Sequence, residues 1–177
     1  MSSVTILGDT SGSVAISAPS VAGSTAITIA AQSGTLNVGG PAFSAGRTGS
    51  TQALSTSWNK VQCNSEDFDT NNNYDNTTNY RFTPTVAGYY QISGAVCLTS
   101  QTSGSSEFLV SIWKNGAEWK RGFDSVANAI IQLQTSTLVY LNGSTDYVEL
   151  YTYVSATNNV NNSSAYTWFQ GFLARTA

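Results

Sequence analysis

Apolar and polar residues alternate along most of this chain with a period of two. In YYQISGAVCL, Tyr90, Ile92, Gly94, Val96 and Leu98 fall on one face, and in DYVELYTYV the tyrosines Tyr147, Tyr151 and Tyr153 share a face with Glu149 while Val148, Leu150, Thr152 and Val154 take the other. That period is the signature of strands with two differently covered faces. Further runs of the same kind are AFSAGR, WNKVQC, YRFTPT, EFLVSIWKNG, AEWKRGF, NAIIQLQTSTLVYL and AYTWFQGFLAR, so that about eight to ten strands are expected after residue 41. Asn115-Gly116 and Asn142-Gly143 supply residues that accept positive φ in tight hairpins. No window carries apolar residues at helical spacing opposite a charged face. The pattern predicts an all-β antiparallel sandwich, jelly roll or barrel.

Residues 1 to 40 have a different texture. They hold no aromatic residue, no Lys or Arg, and one acid, Asp9, before Gly39-Gly40-Pro41 opens the aromatic-rich remainder. Short alternating runs, Val14 with Ile16 and Ile27 with Ile29, are separated by Gly and Pro punctuation. Two strands carrying a few aliphatic groups bury too little surface alone. The expectation is an extended N-terminal arm, residues 1–40, that winds three chains together or lies along another protein, with a head over residues 41–177.

Composition narrows the function. Charged residues make up 10% of the 177 residues, against a usual share of about 25%, so the surface is built from Ser, Thr, Asn, Gln and Gly. The formal net charge is −3, and the seven cations are scattered apart from Lys120-Arg121; phosphate neutralisation needs clustered cations, and nucleic acid is not an expected partner. The start MSSVTILGDTSGSV lacks a basic region followed by an apolar one, and no stretch of about 18 apolar residues occurs. Neither export by a signal peptide nor membrane insertion is expected, and Cys63 and Cys97 are expected as buried reduced thiols.

The chain has no histidine, which removes Ser-His-Asp and Cys-His nucleophilic systems and the commonest zinc ligand. Carboxylates gather in one loop, Glu66, Asp67, Asp69 and Asp75, with Glu118 and Asp124 elsewhere; such a polar loop reads as solvated rather than catalytic, and no enzyme and no cofactor are expected. Within it Asp67, Asp69, Asn71 and Asn73 alternate as oxygen ligands of calcium do, but Asn72 and Thr78 stand where a calcium loop of that kind needs a glycine and a bidentate acid. They are weak calcium candidates, and an ion-free Asn-rich turn is the expectation. Trp113 and Trp168 lie in apolar runs and read as core or interface, whereas Trp119, in the polar AEWKRG segment, is the one tryptophan expected to be free for a ligand.

From Phe43 to Arg175 the order FSAGR, NKVQCNSEDFDTNNNYD, YRFTPTVAGYYQISGAV, LVSIWKNG, STLVYLNGSTDYVEL and TWFQGFLAR resembles the globular head of complement-one-q and its tumour-necrosis-factor relatives. The most specific stretch runs from Tyr80 to Tyr90, supported by Lys114-Asn115-Gly116 and Phe169-Gln170-Gly171-Phe172. The resemblance implies a jelly roll of about ten strands that forms homotrimers through aromatic faces; Tyr90, Tyr147, Tyr151, Tyr153, Phe169 and Phe172 are the interface candidates. No collagen-like repeat precedes Phe43. The leader is instead similar to the small-residue segments that precede such heads in phage fibre and decoration proteins. The expected function is a structural protein of a bacteriophage virion, a capsid decoration or head-fibre protein made in the host cytoplasm, with Val14, Ile16, Ile27 and Ile29 holding it to capsid or tail proteins. The alternative is the receptor-binding tip of a tail fibre, recognising a host surface glycan or protein.

Overall fold

A computed structural model describes residues 3–7, 13–17, 39–99, 107–124 and 131–177. The chain divides into two compact units, Met1–Gly34 and Thr35–Ala177. In the first, β1 (Ser3–Leu7) pairs antiparallel with β2 (Ser13–Ser17), setting Val4 opposite Ile16 and Ile6 opposite Val14. Ile27 and Ile29 lie outside the described residues.

The second unit is all-β among its described residues, thirteen strands in two sheets. The smaller sheet runs β11 (Ala117–Asp124), β10 (Phe108–Lys114), β13 (Val148–Val154), β8 (Arg81–Phe82), β7 (Tyr74–Asp75), with β5 (Trp58–Lys60) also paired to β13. In the larger, β9 (Ala87–Leu98) lies between β12 (Ile131–Asn142) and β15 (Trp168–Thr176), and the sheet continues through β3 (Ala42–Gly46) to β6 (Ser65–Asp69) at its edge. Strand β14 (Asn158–Val160) meets the far end of β9 and carries β4 (Gln52–Leu54). Apart from the consecutive pairs β10–β11 and β7–β8, strands distant in sequence pair with one another, as in a jelly roll.

The core lies between the sheets and is dominated by rings. Phe43 stacks on Phe82 at 4.3 Å and on Tyr74 at 5.0 Å, and meets Phe169 edge-on at 5.1 Å. Stacked and edge-on pairs at these separations add to what their burial contributes. The two period-two patterns read from the sequence both form strands, and each sends its aliphatic face inward: Ile92, Val96 and Leu98 from β9, Val148, Leu150 and Val154 from β13. Gly94 sits among them because a Cβ there would stand 2.6 Å from Leu150 Cδ1. At the hairpin between β10 and β11, Asn115 and Gly116 adopt φ of 53° and 78°, the left-handed pair that a tight two-residue turn requires. Cys63 and Cys97 are free and buried, and burial pushes the Cys63 thiol up to about 12 against the opposing pull of Arg47.

Candidate interaction surface

The larger sheet has one face on the core and one that the described residues leave largely bare. Register fixes which residues share the bare face. Tyr140 lies opposite Tyr89, Leu138 opposite Gln91 and Ser136 opposite Ser93 across β12 and β9; across β9, β15 and β3, Gln91 meets Phe172 and then Ala42, and Ser93 meets Gln170 and then Ser44, which pairs with Phe68 on β6. Five large apolar side chains stand exposed there: Phe68 at 52%, Tyr89 at 48%, Leu138 at 58%, Tyr140 at 41% and Phe172 at 53%. Scattered exposed apolar residues are ordinary, but five large apolar side chains gathered on one sheet face mark a candidate interaction site.

The array has an internal design. At its centre is a polar seam, in which Gln91 Nε2 donates to Ser136 Oγ at 2.6 Å, Ser136 and Ser93 hydroxyls lie 2.8 Å apart, and Ser44 Oγ donates to Asp67 Oδ2 at 2.8 Å. On one side is the Phe68 edge, with a dent of about 240 Å³ between Phe68 and Phe172. On the other is the Tyr89–Tyr140 pair, 5.6 Å between centroids, with a larger dent of about 510 Å³ walled by Tyr89, Leu138, Ala174 and Arg175. Tyr166, also exposed, lies with Cys97, Gln132 and Asn161 about a further hollow.

Of the six aromatic residues expected at an interface, only Phe172 lies on this face. Tyr90 and Phe169 are fully buried, and Tyr90 donates its hydroxyl to Val86 O at 2.7 Å. Their parity along β9 and β15 is that of the core residues Ile92 and Leu173, so they have no surface to offer a second chain. The tyrosines of β13 lie on the outer face of the smaller sheet, and the chain covers them with its own tryptophans. Trp113 stacks on Tyr151 at 4.1 Å, and Trp58 packs against Tyr153 at 5.6 Å and Trp113 at 5.7 Å. Arg81 caps Tyr147 at 4.3 Å and Arg121 lies 5.6 Å over Trp58. Beneath this layer Glu149, 3% exposed, takes an ion pair from Lys60 at 2.5 Å. Burial and the neighbouring Glu149 both push the Tyr151 hydroxyl above its ordinary range. The layer is a cluster of half-buried rings packed on the outside of the sheet.

The acidic loop is occupied with its own backbone. Asp69 accepts from Asn71 N at 3.2 Å and Tyr74 N at 2.6 Å, and Asn73 Oδ1 accepts from Thr85 N at 3.2 Å. Asp67 holds Ser44, and Asn71 Oδ1 accepts from Thr70. The oxygens of these four residues are turned to five different partners, and among the described residues no group of three His, Cys, Asp or Glu converges as metal ligands do. Asp75 caps the next turn. The backbone amides of Thr78, Thr77 and Asn79 and the Asn79 side chain hold its carboxyl well below the usual carboxylate range, the Thr78 amide most strongly. Trp119 is 43% exposed, with Lys120 at 5.8 Å.

Tyr89, Leu138, Tyr140 and Phe68 were readable only from parity. In β12 the order Leu138-Val139-Tyr140-Leu141 is apolar on both faces, which hides which face is dry; the buried members are Val139 and Leu141.

No protein-family model and no curated protein matches this chain. Solved structures do. The chain is similar to murine APRIL at pH 8.5 with a TM-score of 0.55 and 12% identity, over 75% of this chain and 98% of that one. Murine APRIL at pH 5.0 gives 0.53 and 10% over 76% and 98%, and at pH 8.0 gives 0.55 and 12% over 75% and 98%. The head has the jelly roll of the tumour-necrosis-factor type.

Proposed function

We propose that this chain is a non-enzymatic structural protein of a bacteriophage virion, a homotrimeric capsid decoration or head-fibre protein. In this reading the heads associate through the bare face of the larger sheet, and the aliphatic arm holds the particle. One observation carries the self-association: the rings of Phe68, Tyr89, Tyr140 and Phe172 with Leu138 stand exposed on a face that the described residues do not cover, and each such side chain contributes roughly 1.5–3 kcal/mol when fully buried. The virion assignment is supported by the leader, free of aromatic residues, which resembles the small-residue segments that precede such heads in phage fibre and decoration proteins. The absence of histidine and the engagement of the acidic loop with its own amides support a binding rather than a catalytic role.

Labelling the chain on purified particles and imaging them by electron microscopy tests the assignment. Label on the capsid shell is the expected result. Label absent from particles would overturn it. The exposed Trp119 favours a second reading, a receptor-binding tip that stacks a host sugar. That reading predicts label at the tail and loss of glycan binding in Trp119→Ala.

A further inference from the structure

Where Gln132 of β12 stands opposite Cys97 of β9, at the other end of those strands from Tyr89 and Tyr140, a hollow of about 350 Å³ is lined by Cys97, Gln132, Asn161 and Tyr166. Asn161 N donates to Cys97 O at 2.8 Å and Cys97 N donates to Thr167 Oγ1 at 3.2 Å, so the segment from 161 to 167 is pinned to β9 at both ends. Within it Tyr166 N and Thr167 N both donate to Ser163 O, at 3.0 and 2.9 Å, and Asn161 Oδ1 accepts from Ser163 N at 2.9 Å. Gln132 Nε2 donates to Tyr166 O at 2.9 Å, which ties the turn to β12 as well. The walls are fixed before a ligand arrives, and a preformed site loses less ordering entropy on binding.

The same bonds leave polar groups over. Among the described residues Gln132 Oε1, Asn161 Nδ2 and the Tyr166 hydroxyl make no hydrogen bond, and the Tyr166 ring is 52% exposed. No Asp, Glu, Lys or Arg lines the hollow, so a charged ligand would meet no counter-charge there. A few placed polar groups beside an aromatic wall are the usual make-up of a small-ligand site, and the volume lies at the small end of the range of about 300–1,000 Å³ in which such sites fall. One ring wall, one acceptor and one amide donor complement a pyranose, which has an apolar C–H face and a rim of hydroxyls that both donate and accept. We infer that the hollow binds a single neutral sugar residue of a glycan: the Tyr166 ring stacks on its C–H face, Gln132 Oε1 accepts from one hydroxyl and Asn161 Nδ2 donates to another. The site is separate from Trp119, and it rests neither on self-association nor on where a particle carries the head.

Titration of the isotope-labelled full chain with glucose, galactose, mannose and N-acetylglucosamine, followed by nuclear magnetic resonance into the millimolar range, tests this. At least one of the four should shift the side-chain amide signals of Gln132 and Asn161 in a saturable way. Because Tyr166 is exposed, Tyr166→Ala leaves the core intact; it should weaken that binding at least about tenfold, while Tyr166→Phe, which keeps the ring, should retain most of it. Asn161→Asp keeps the acceptor for Ser163 N and removes the amide donor, and should weaken binding about fivefold. Trp119→Ala should leave it unchanged. No saturable shift with any of the four sugars, equal affinity in Tyr166→Ala and wild type, equal losses in Tyr166→Ala and Tyr166→Phe, an unchanged affinity in Asn161→Asp, a loss in Trp119→Ala, or tighter binding of glucuronate than of glucose would each overturn the inference. Its failure would leave the self-association and virion readings standing, since neither uses the hollow.

Discussion

Tyr89 and Tyr90 are neighbours in the chain and face opposite sides of the same sheet. Tyr90 is fully buried with its hydroxyl on Val86 O, while Tyr89 stands in solvent beside Tyr140. This one step of parity separates what holds the head together from what the head presents.

The consequence is testable by substitution. Tyr90→Ala removes a large buried ring and should cost roughly 3–5 kcal/mol in a denaturant titration. Tyr89→Ala should leave the stability of the isolated head within about 0.5 kcal/mol and weaken self-association instead. Equal losses of stability in the two variants would contradict the facing described.

Much of the fold was legible because strand parity is a local property. The inward faces of β9 and β13 follow from the spacing of Ile92, Val96 and Leu98 and of Val148, Leu150 and Val154, and Asn115-Gly116 announced its turn. What covers the second face of each sheet is not local. Tyr151 and Tyr153 looked like an interface because the tryptophans that cover them, Trp58 and Trp113, sit on β5 and β10, and only the pairing of those strands with β13 brings them over. Tyr90 and Phe169 are interface candidates through the aromatic faces that the resemblance implies, and an aromatic ring suits a core and an interface equally.

The outer layer of the smaller sheet makes its own prediction. Lys60→Met leaves the Glu149 carboxylate buried without its partner, and should cost about 2–3 kcal/mol, below the full penalty for a wholly buried pair because Lys60 is partly exposed. Adding Glu149→Gln to that variant should recover part of the loss. Thermal unfolding of the three proteins at one pH decides it.

Asp75 should make the head sensitive to acid. Its carboxyl is held below its ordinary range by the amides of Thr78, Thr77 and Asn79, so the folded state binds a proton less readily than the unfolded chain. The stabilisation is then fully present above the unfolded value of about 3.9 and is lost as pH falls below it toward the folded value. Asp75→Ala should cost about 1 kcal/mol at pH 7, as for the loss of a cap. The difference in Tm between the two proteins should shrink as pH is lowered from about 5 to about 2.5; a constant difference would show that the cap does not titrate.

Chelator should change little. With Asp69 and Asp75 committed to backbone amides and Asp67 to Ser44, the loop has no convergent oxygens to lose with a cation. EDTA is expected to move Tm by less than about 2 °C, and a fall of about ten degrees or more would make the loop a metal site.

The central claim is that three heads close on one another through the bare face of the larger sheet. Sedimentation equilibrium at micromolar concentration tests it most directly. The account predicts a mass three times 18.7 kDa for the wild-type chain and 18.7 kDa for Leu138→Asp, which puts a charge beside Tyr89 on the apolar side of the face without touching the core. A wild-type chain that sediments as a monomer, or a Leu138→Asp chain that remains trimeric, would contradict it.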